Sequence, residues 1–255
     1  MRTGFSGLLL AVLMLGWVRA GAAETLSGYT YLTPEMQALQ DDGFGNPGQL
    51  TVDEGRILFA TTAAGGKSCS SCHGEEGGAL DSMRIARYPV YDPRTGMPLT
   101  LRGQVLQCWA ERLGNQPLAY ADKRALQLET FVRSLARGET VAVEIDENLQ
   151  PYYAAGEKLY RTRWGQVDIA CHQCHDYHAG GTFRGQVMTQ GQSNGFPVYR
   201  FTTGQTVGLQ ERITECLTSL RAQPYPAGSK EYLALEVYLS ARSNGLKIET
   251  PAIRY

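Results

Sequence analysis

Two apolar stripes recur along the chain at helical spacing. Leu128, Phe131, Val132 and Leu135 fall at i, i+3, i+4 and i+7, and Leu235, Tyr238, Leu239 and Arg242 occupy the matching places further on. Each stripe predicts an amphipathic helix with one face in a core. Arg137-Gly138 and Asn244-Gly245 supply stop residues behind them. Upstream, Thr51-Val52-Asp53-Glu54 has the pattern of a capping box and predicts a helix that opens there. Gly/Pro-rich stretches between these segments read as loops. The segment from Gly138 to Pro151 is polar and acidic and reads as a linker, and residues 24–50 form an N-terminal extension without clear periodicity.

A separate apolar run, Leu8 to Val18, follows Arg2 and leads into Ala20-Gly21-Ala22-Ala23. It is too short to span a bilayer and reads as a secretory signal peptide over residues 1–23, without a twin-arginine pair. Without Arg2 and Arg19 the chain carries 22 Lys+Arg against 25 Asp+Glu, a mild balance that argues against nucleic acid as a partner. No other apolar run is long enough to cross a membrane. The expected location is the periplasm, where disulfides are permitted.

The stripes belong to a longer repeat. Gly55-Arg56-Ile57-Leu58-Phe59 stands 14 positions before Cys69, and Gly156-Glu157-Lys158-Leu159-Tyr160 stands 15 before Cys171. Tyr88-Pro89-Val90-Tyr91 returns as Phe196-Pro197-Val198-Tyr199. Glu129 follows Cys108 by 21 positions, and Glu236 follows Cys216 by 20. So many anchors in one order indicate a duplication. The expected fold is mainly α, with two tandem domains at 51–142 and 143–255.

Four of the six cysteines give the repeat its chemistry. Cys69-Ser70-Ser71-Cys72-His73 and Cys171-His172-Gln173-Cys174-His175 are both Cys-x-x-Cys-His strings, the attachment motif of c-type haem. Cys69, Cys72, Cys171 and Cys174 would form thioethers to two covalently attached haem c groups, and His73 and His175 would be proximal iron ligands. A helix before the motif and another closing the domain is the arrangement of cytochrome c domains. The fourteen tyrosines suit haem-pocket walls, with an apolar ring and a polar tip.

The opposite face of each iron has few candidates. His172 reads as a spacer inside its motif and His178 as a loop residue. Met83, Met97 and Met188 read as packing in or near the pockets. Cys108 and Cys216 occupy equivalent repeat positions. A disulfide between them is one reading, although equivalent positions in duplicated domains should lie far apart. Iron ligation is the other. Thiolate ligation stabilises Fe(III) and lowers the potential, which hints at a specialised role. Arg212 lies four residues before Cys216 and shares its helix face, so it favours the thiolate and could hold an oxyanion. Gln104 stands at that offset before Cys108. A surface salt bridge is the plainer reading of Arg212.

Over nearly the whole mature chain the sequence resembles the A subunits of SoxAX cytochromes of bacterial sulfur oxidation, a family also called L-cysteine S-thiosulfotransferase. The resemblance is carried by Arg212-Ile213-Thr214-Glu215-Cys216, by Pro224, Ser229 and Leu235-Glu236, and by Arg242-Ser243-Asn244-Gly245-Leu246. Some members lack the first haem motif; Cys69, Cys72, His73 and Cys108 place this chain with the dihaem form. The resemblance implies iron ligation by His73 with Cys108 and by His175 with Cys216. It makes Cys216 the catalytic residue, found as a persulfide in the family, and Arg212 a catalytic and substrate-binding residue. The implied reaction oxidatively joins thiosulfate to a cysteine of the SoxYZ carrier. Implied partners are the monohaem SoxX subunit, in a heterodimer, and a c-type cytochrome that accepts two electrons. A dihaem electron carrier, a thiosulfate dehydrogenase forming tetrathionate and a dihaem peroxidase are the alternatives. An anion-binding group at one haem only speaks against the first, and two filled irons speak against the last.

Overall fold

Glycines set where the two striped helices meet their partners. A computed structural model describes residues 24–183 and 185–255, so the expected signal peptide lies outside the described residues. The helices are α1 (Pro34–Asp41), α2 (Gln49–Ala60), α3 (Ser70–His73), α4 (Ser82–Ile85), α5 (Leu101–Gln107), α6 (Lys123–Ser134), α7 (Gln150–Arg161), α8 (Cys171–His175), α9 (Leu209–Ser219) and α10 (Lys230–Arg242). The strands are β1 (Val90–Asp92), β2 (Met97–Leu99), β3 (Thr182–Phe183), β4 (Gln186–Val187), β5 (Val198–Arg200), β6 (Gln205–Val207) and β7 (Ala252–Arg254). Helix α2 packs on α6 in the first half, and α7 packs on α10 in the second. At each crossing the backbones touch. A Cβ on Gly55 would overlap the Gln127 carbonyl, and one on Gly156 would overlap the Ala234 carbonyl. The same geometry at the same repeat position is what a duplication leaves behind.

The predicted stripes are buried as expected. Leu128, Phe131 and Val132 pack with Phe59 in one core, and Leu235, Tyr238 and Leu239 pack with Tyr160 and Leu217 in another. Full burial of each large side chain stabilises by about 1.5–3 kcal/mol. Arg242, at the last place of the second stripe, lies over the rings of Tyr160 and Tyr238, 4.8 and 5.7 Å from their centroids. Asp122 and Ser229 start α6 and α10 by accepting from the Arg124 and Tyr232 amides.

Several local expectations change. Helix α2 opens two residues before Thr51, behind Gly48 and without a side-chain cap. The Thr51 hydroxyl instead meets the Thr206 hydroxyl at 2.8 Å, because this turn abuts the second half. The stretches read as loops contain antiparallel hairpins, β1–β2 and β5–β6, placed alike in the two halves. Strand β7 joins β5 in parallel. The acidic linker is pinned rather than free. Val141 and Val143 are buried with Ile248 in the first core, and Val141 exchanges backbone hydrogen bonds with the 245–246 turn. The N-terminal extension holds α1, and Gln40 and Asn46 bond to the backbone of Ile253 and Pro251. Met83 is 63% exposed rather than packed in a pocket, because its one-turn helix directs Ile85 inward.

Where the halves meet, a buried polar cluster follows the repeat. Arg102 on α5 donates to Glu129 at 2.7 Å, and Gln210, its counterpart on α9, donates to Glu236 at 2.9 Å. Arg102 also crosses to Glu211 on α9. Gly208 leaves the room, since a Cβ there would collide with the Arg102 guanidinium. Burial alone would discharge Arg102, but Glu129 and Glu211 outweigh it and its pKa is raised. Burial, then the Glu129 charge, pushes Glu236 up to about 7, against a hydrogen bond from Gln210 and the charge of Arg102. Arg133 and the Tyr120 hydroxyl complete the surroundings. Two arginines thus face three carboxylates, and a proton on Glu236 balances the cluster. A carboxyl whose folded pKa lies above its unfolded one stabilises fully below the unfolded value, near 4.5. That stability is lost as pH rises through about 7. The parent protein is therefore expected to lose about 1–3 kcal/mol across this window relative to Glu236→Gln. Chemical denaturation at both ends of the window checks this, and parallel pH profiles for the two proteins would contradict it.

Candidate functional site

The first Cys-x-x-Cys-His string folds as α3, with Cys69 just before it and Gly74 closing it at a positive φ of 77°. Cys69, His73 and Cys108 line one cleft. Its walls are apolar, with Phe59, Leu80, Ile85, Leu101, Val105, Leu128 and Val132, and Asp81 and Arg84 also line it. Burial, then the facing Cys108, pushes the Cys69 thiol up to about 11. Cys108 begins a π-helical turn, Cys108–Arg112, that continues α5. The Gln104 amide donates to its Sγ at 3.3 Å.

The second string is α8. The His175 imidazole has its Nδ1 2.8 Å from the Thr189 carbonyl, so Nε2 is the nitrogen left to act as a ligand. Gly191, at φ 70°, lies against this ring, and a Cβ there would stand 3.0 Å from Cγ. Burial lowers the His175 pKa, with Thr189 opposing and Arg212 adding, so the ring is held neutral. Asp176 accepts from Tyr160 at 2.7 Å and from Arg242 at 2.9 Å, which ties α8 to α7 and α10. Burial, then the nearby Cys216, pushes Cys171 up to about 12. In both halves the first motif cysteine therefore faces the later thiol. None of the six cysteines is in a disulfide.

These surroundings fit c-type haem. Each half offers attachment thiols, an imidazole and a later thiol, and in the first half Cys69, His73 and Cys108 stand around one apolar cleft with Cys72 exposed beside it. The remaining histidines have other settings. The His172 ring packs edge-on against Tyr177 at 5.2 Å, and His178 is exposed. Met97 lies in β2 opposite Asp92, and Met188 bonds through its backbone to Gly180 and Gly181.

Cys216 is half-buried on α9, with Leu217 beside it turned into the core. Arg212 lies one turn earlier and pairs with Glu215 at 3.2 Å, both partly exposed. The surface ion pair expected as the plainer reading of Arg212 is thus present. An exposed pair of this kind contributes about 0–1 kcal/mol and is readily exchanged for an incoming anion. In the first half the uncharged Gln104 stands at the corresponding place and donates to Cys108.

One further cation is not singled out by the sequence. Arg200, at the end of β5, is 8% exposed and within range of the charges of Arg212, Glu215 and Cys216. Its signal is the repeat itself: Arg200 follows Phe196-Pro197-Val198-Tyr199 where Asp92 follows Tyr88-Pro89-Val90-Tyr91. The buried cluster of Arg102, Glu129, Glu211 and Glu236 is likewise invisible as a unit, although its two repeat glutamates stand out as anchors.

Comparison with known proteins places this architecture. The family described as SoxA/TsdA, cytochrome c domain, matches residues 54–141 and again 155–248. The L-cysteine S-thiosulfotransferase subunit SoxA of Pseudaminobacter salicylatoxidans is 36% identical over 233 residues, 91% of this chain and 81% of the relative. The subunit of the same name from Rhodovulum sulfidophilum is 34% identical, covering 91% and 80%. The solved structure of SoxXA from P. pantotrophus superposes with a TM-score of 0.83 at 31% identity, covering 91% of this chain and 87% of that one. A cytochrome c domain matched twice, on halves that each cross their helices at a glycine, makes the fold a tandem of cytochrome c domains. The chain belongs to the SoxA family of c-type cytochromes.

Proposed function

We propose that the protein is the catalytic subunit of an L-cysteine S-thiosulfotransferase that joins thiosulfate to a cysteine thiol of a SoxYZ-type carrier. The halves 51–142 and 143–255 would each hold one haem c, attached through Cys69 and Cys72 and through Cys171 and Cys174. His73 with Cys108, and His175 with Cys216, would be the iron ligands. The names of the relatives and the SoxXA neighbour support this reading and a SoxX-type monohaem partner. Among the described residues no helix is long and apolar enough to cross a membrane. The apolar run at residues 8–18 supports export to the periplasm.

The observation that carries the proposal is the inequality of the two later thiols. Cys108 has the neutral Gln104 one turn away, whereas Cys216 has Arg212. A cation one helical turn before Cys216 offers paired N–H donors to a sulfonate oxygen. Joining the outer sulfur of thiosulfate to a carrier thiol forms one S–S bond and releases one proton and two electrons. When bound, haem c accepts electrons singly and passes them to a c-type cytochrome. Cys216 provides the reacting sulfur, directly or through an added sulfur. The carrier thiol then forms an S–S bond to the outer thiosulfate sulfur as the bond from that sulfur to the Cys216 sulfur breaks and the enzyme sulfur leaves as its anion, which divides one difficult step into two. Arg212 orients the anion throughout.

The test is reduction of cytochrome c by thiosulfate, followed with and without a carrier bearing a free thiol. Reduction that requires both thiosulfate and carrier is expected. Tetrathionate formed at the same rate without carrier would overturn the proposal in favour of a thiosulfate dehydrogenase.

A further inference from the structure

The two halves differ in charge at a second pair of equivalent positions. Asp92 and Arg200 each end the first strand of a hairpin, and each pairs with the residue five positions on, Met97 and Gln205. Asp92 accepts from Gln107, the residue before Cys108, at 3.0 Å. Arg200 makes no ion pair with Glu215 among the described residues but feels the charges of Arg212, Glu215 and Cys216. Around Cys108 the three equivalent positions hold Asp92, Gln104 and Gln107. Around Cys216 they hold Arg200, Arg212 and Glu215. At these three positions the charge changes from −1 to +1, and in the first half Arg94 pairs with Asp92 at 3.6 Å and donates to Gln107 at 2.8 Å.

Arg200 is also underused. It is only 8% exposed, and among the described residues its Nε has no hydrogen-bond partner. The side-chain bond it makes among the described residues is a long contact, 3.4 Å, from Nη2 to the Thr202 hydroxyl. Asp92, in contrast, accepts from both Gln107 and the Arg94 amide. A buried guanidinium with an idle donor is costly to keep unless something completes it. The completing group must be an anion, and one that the first half does not need. Haem propionates fail this condition, since each half would hold a haem with propionates and the first half offers Asp92 at this place. A sulfur oxyanion that reacts at Cys216 alone satisfies it.

We propose that Arg200 is a second substrate-binding residue, which holds the sulfonate end of thiosulfate from the floor of the Cys216 site while Arg212 holds it from the rim. This rests on the thiosulfate reading above and goes beyond it by dividing anion recognition between two guanidiniums. Arg212, 31% exposed and paired with Glu215, meets the incoming anion first. Arg200, donating from beneath, fixes the sulfonate so that the outer sulfur points to Cys216. Two donors from different elements set an orientation that one helix residue alone leaves free.

The experiment compares haem-loaded parent, Arg200→Gln and Arg200→Lys. Thiosulfate affinity is measured by calorimetry without carrier, alongside KM and kcat in the coupled assay. A charge-assisted hydrogen bond predicts thiosulfate binding weaker by about 10–100-fold in Arg200→Gln, with KM rising in parallel. Arg200→Lys should recover part of the loss and decides the question if the glutamine variant does not load haem. Visible spectra and haem midpoint potentials should stay at the parent values. Unchanged thiosulfate affinity in haem-loaded Arg200→Gln, or in haem-loaded Arg200→Lys where the glutamine variant does not load haem, overturns the inference. A shifted potential of one haem with unchanged affinity also overturns it and makes Arg200 a propionate ligand. Calorimetry needs no turnover, so a parent that binds thiosulfate but never conjugates it to the carrier would sink the functional proposal and leave this one standing.

Discussion

Cys216→Ala is expected to lower carrier-dependent thiosulfate turnover by at least about a thousandfold, the scale on which removal of a covalent nucleophile acts. Both haems should remain attached, because Cys69, Cys72, Cys171 and Cys174 are untouched. The fold should also survive, since Cys216 is half-buried and it is Leu217 that enters the core. Cys108→Ala is the informative companion. Its thiol faces a glutamine rather than an arginine, so its loss should alter the first haem's spectrum and slow electron passage while conjugate still forms. Turnover near the parent rate in Cys216→Ala would remove the chemical role from the second half altogether.

Arg102→Met is expected to be the most damaging structural change, lowering stability by about 3–5 kcal/mol, the usual cost of removing one partner from a buried ion cluster. Arg102 is 2% exposed and answers Glu129 in its own half and Glu211 in the other. Without it, Arg133 remains to answer Glu129 and Glu236, and Glu211 loses its ion-pair partner. Holoprotein melting should fall by roughly 10 °C at neutral pH. The loss should shrink at acid pH as the carboxyls take up protons. A melting temperature unchanged from the parent would show that the cluster does not bind the halves together.

Those two residues also show what a sequence reveals and what it hides. Cys216 and its haem motif are legible because the chemistry dictates spacing: thioether attachment needs Cys-x-x-Cys-His, and Arg212 shares a helix face with Cys216 through i, i+4. The striped helices are legible for a related reason, since a 3.6-residue period sustained over two turns marks a helix with one face in a core. Arg102 is different. Its partners lie on α6 and α9, and their meeting depends on how the two halves pack, which no local period encodes. The hairpins escape detection because strands of three residues are too short to alternate visibly. The acidic stretch after Gly138 reads as a linker by its charge, yet the alternation of Val141 and Val143 places both in the first core. Local pattern marks Thr51 as a cap, and a tertiary partner, Thr206, takes its hydroxyl. Arg200 shows that a duplication is most informative where the copies disagree: the shared Pro-Val-Tyr marks the hairpin, and the next residue carries the difference.

In the proposed reaction the duplicated thiols have parted, with Cys216 the reacting sulfur and Cys108 not. Peptide mass mapping of the haem-loaded protein, before and after incubation with thiosulfate, tests it most directly. Extra sulfur, as persulfide or thiosulfate adduct, is expected on the Cys216 peptide and not on the Cys108 peptide, with haem on both motif peptides. Sulfur on both thiols equally, or on Cys108 alone, would contradict the account.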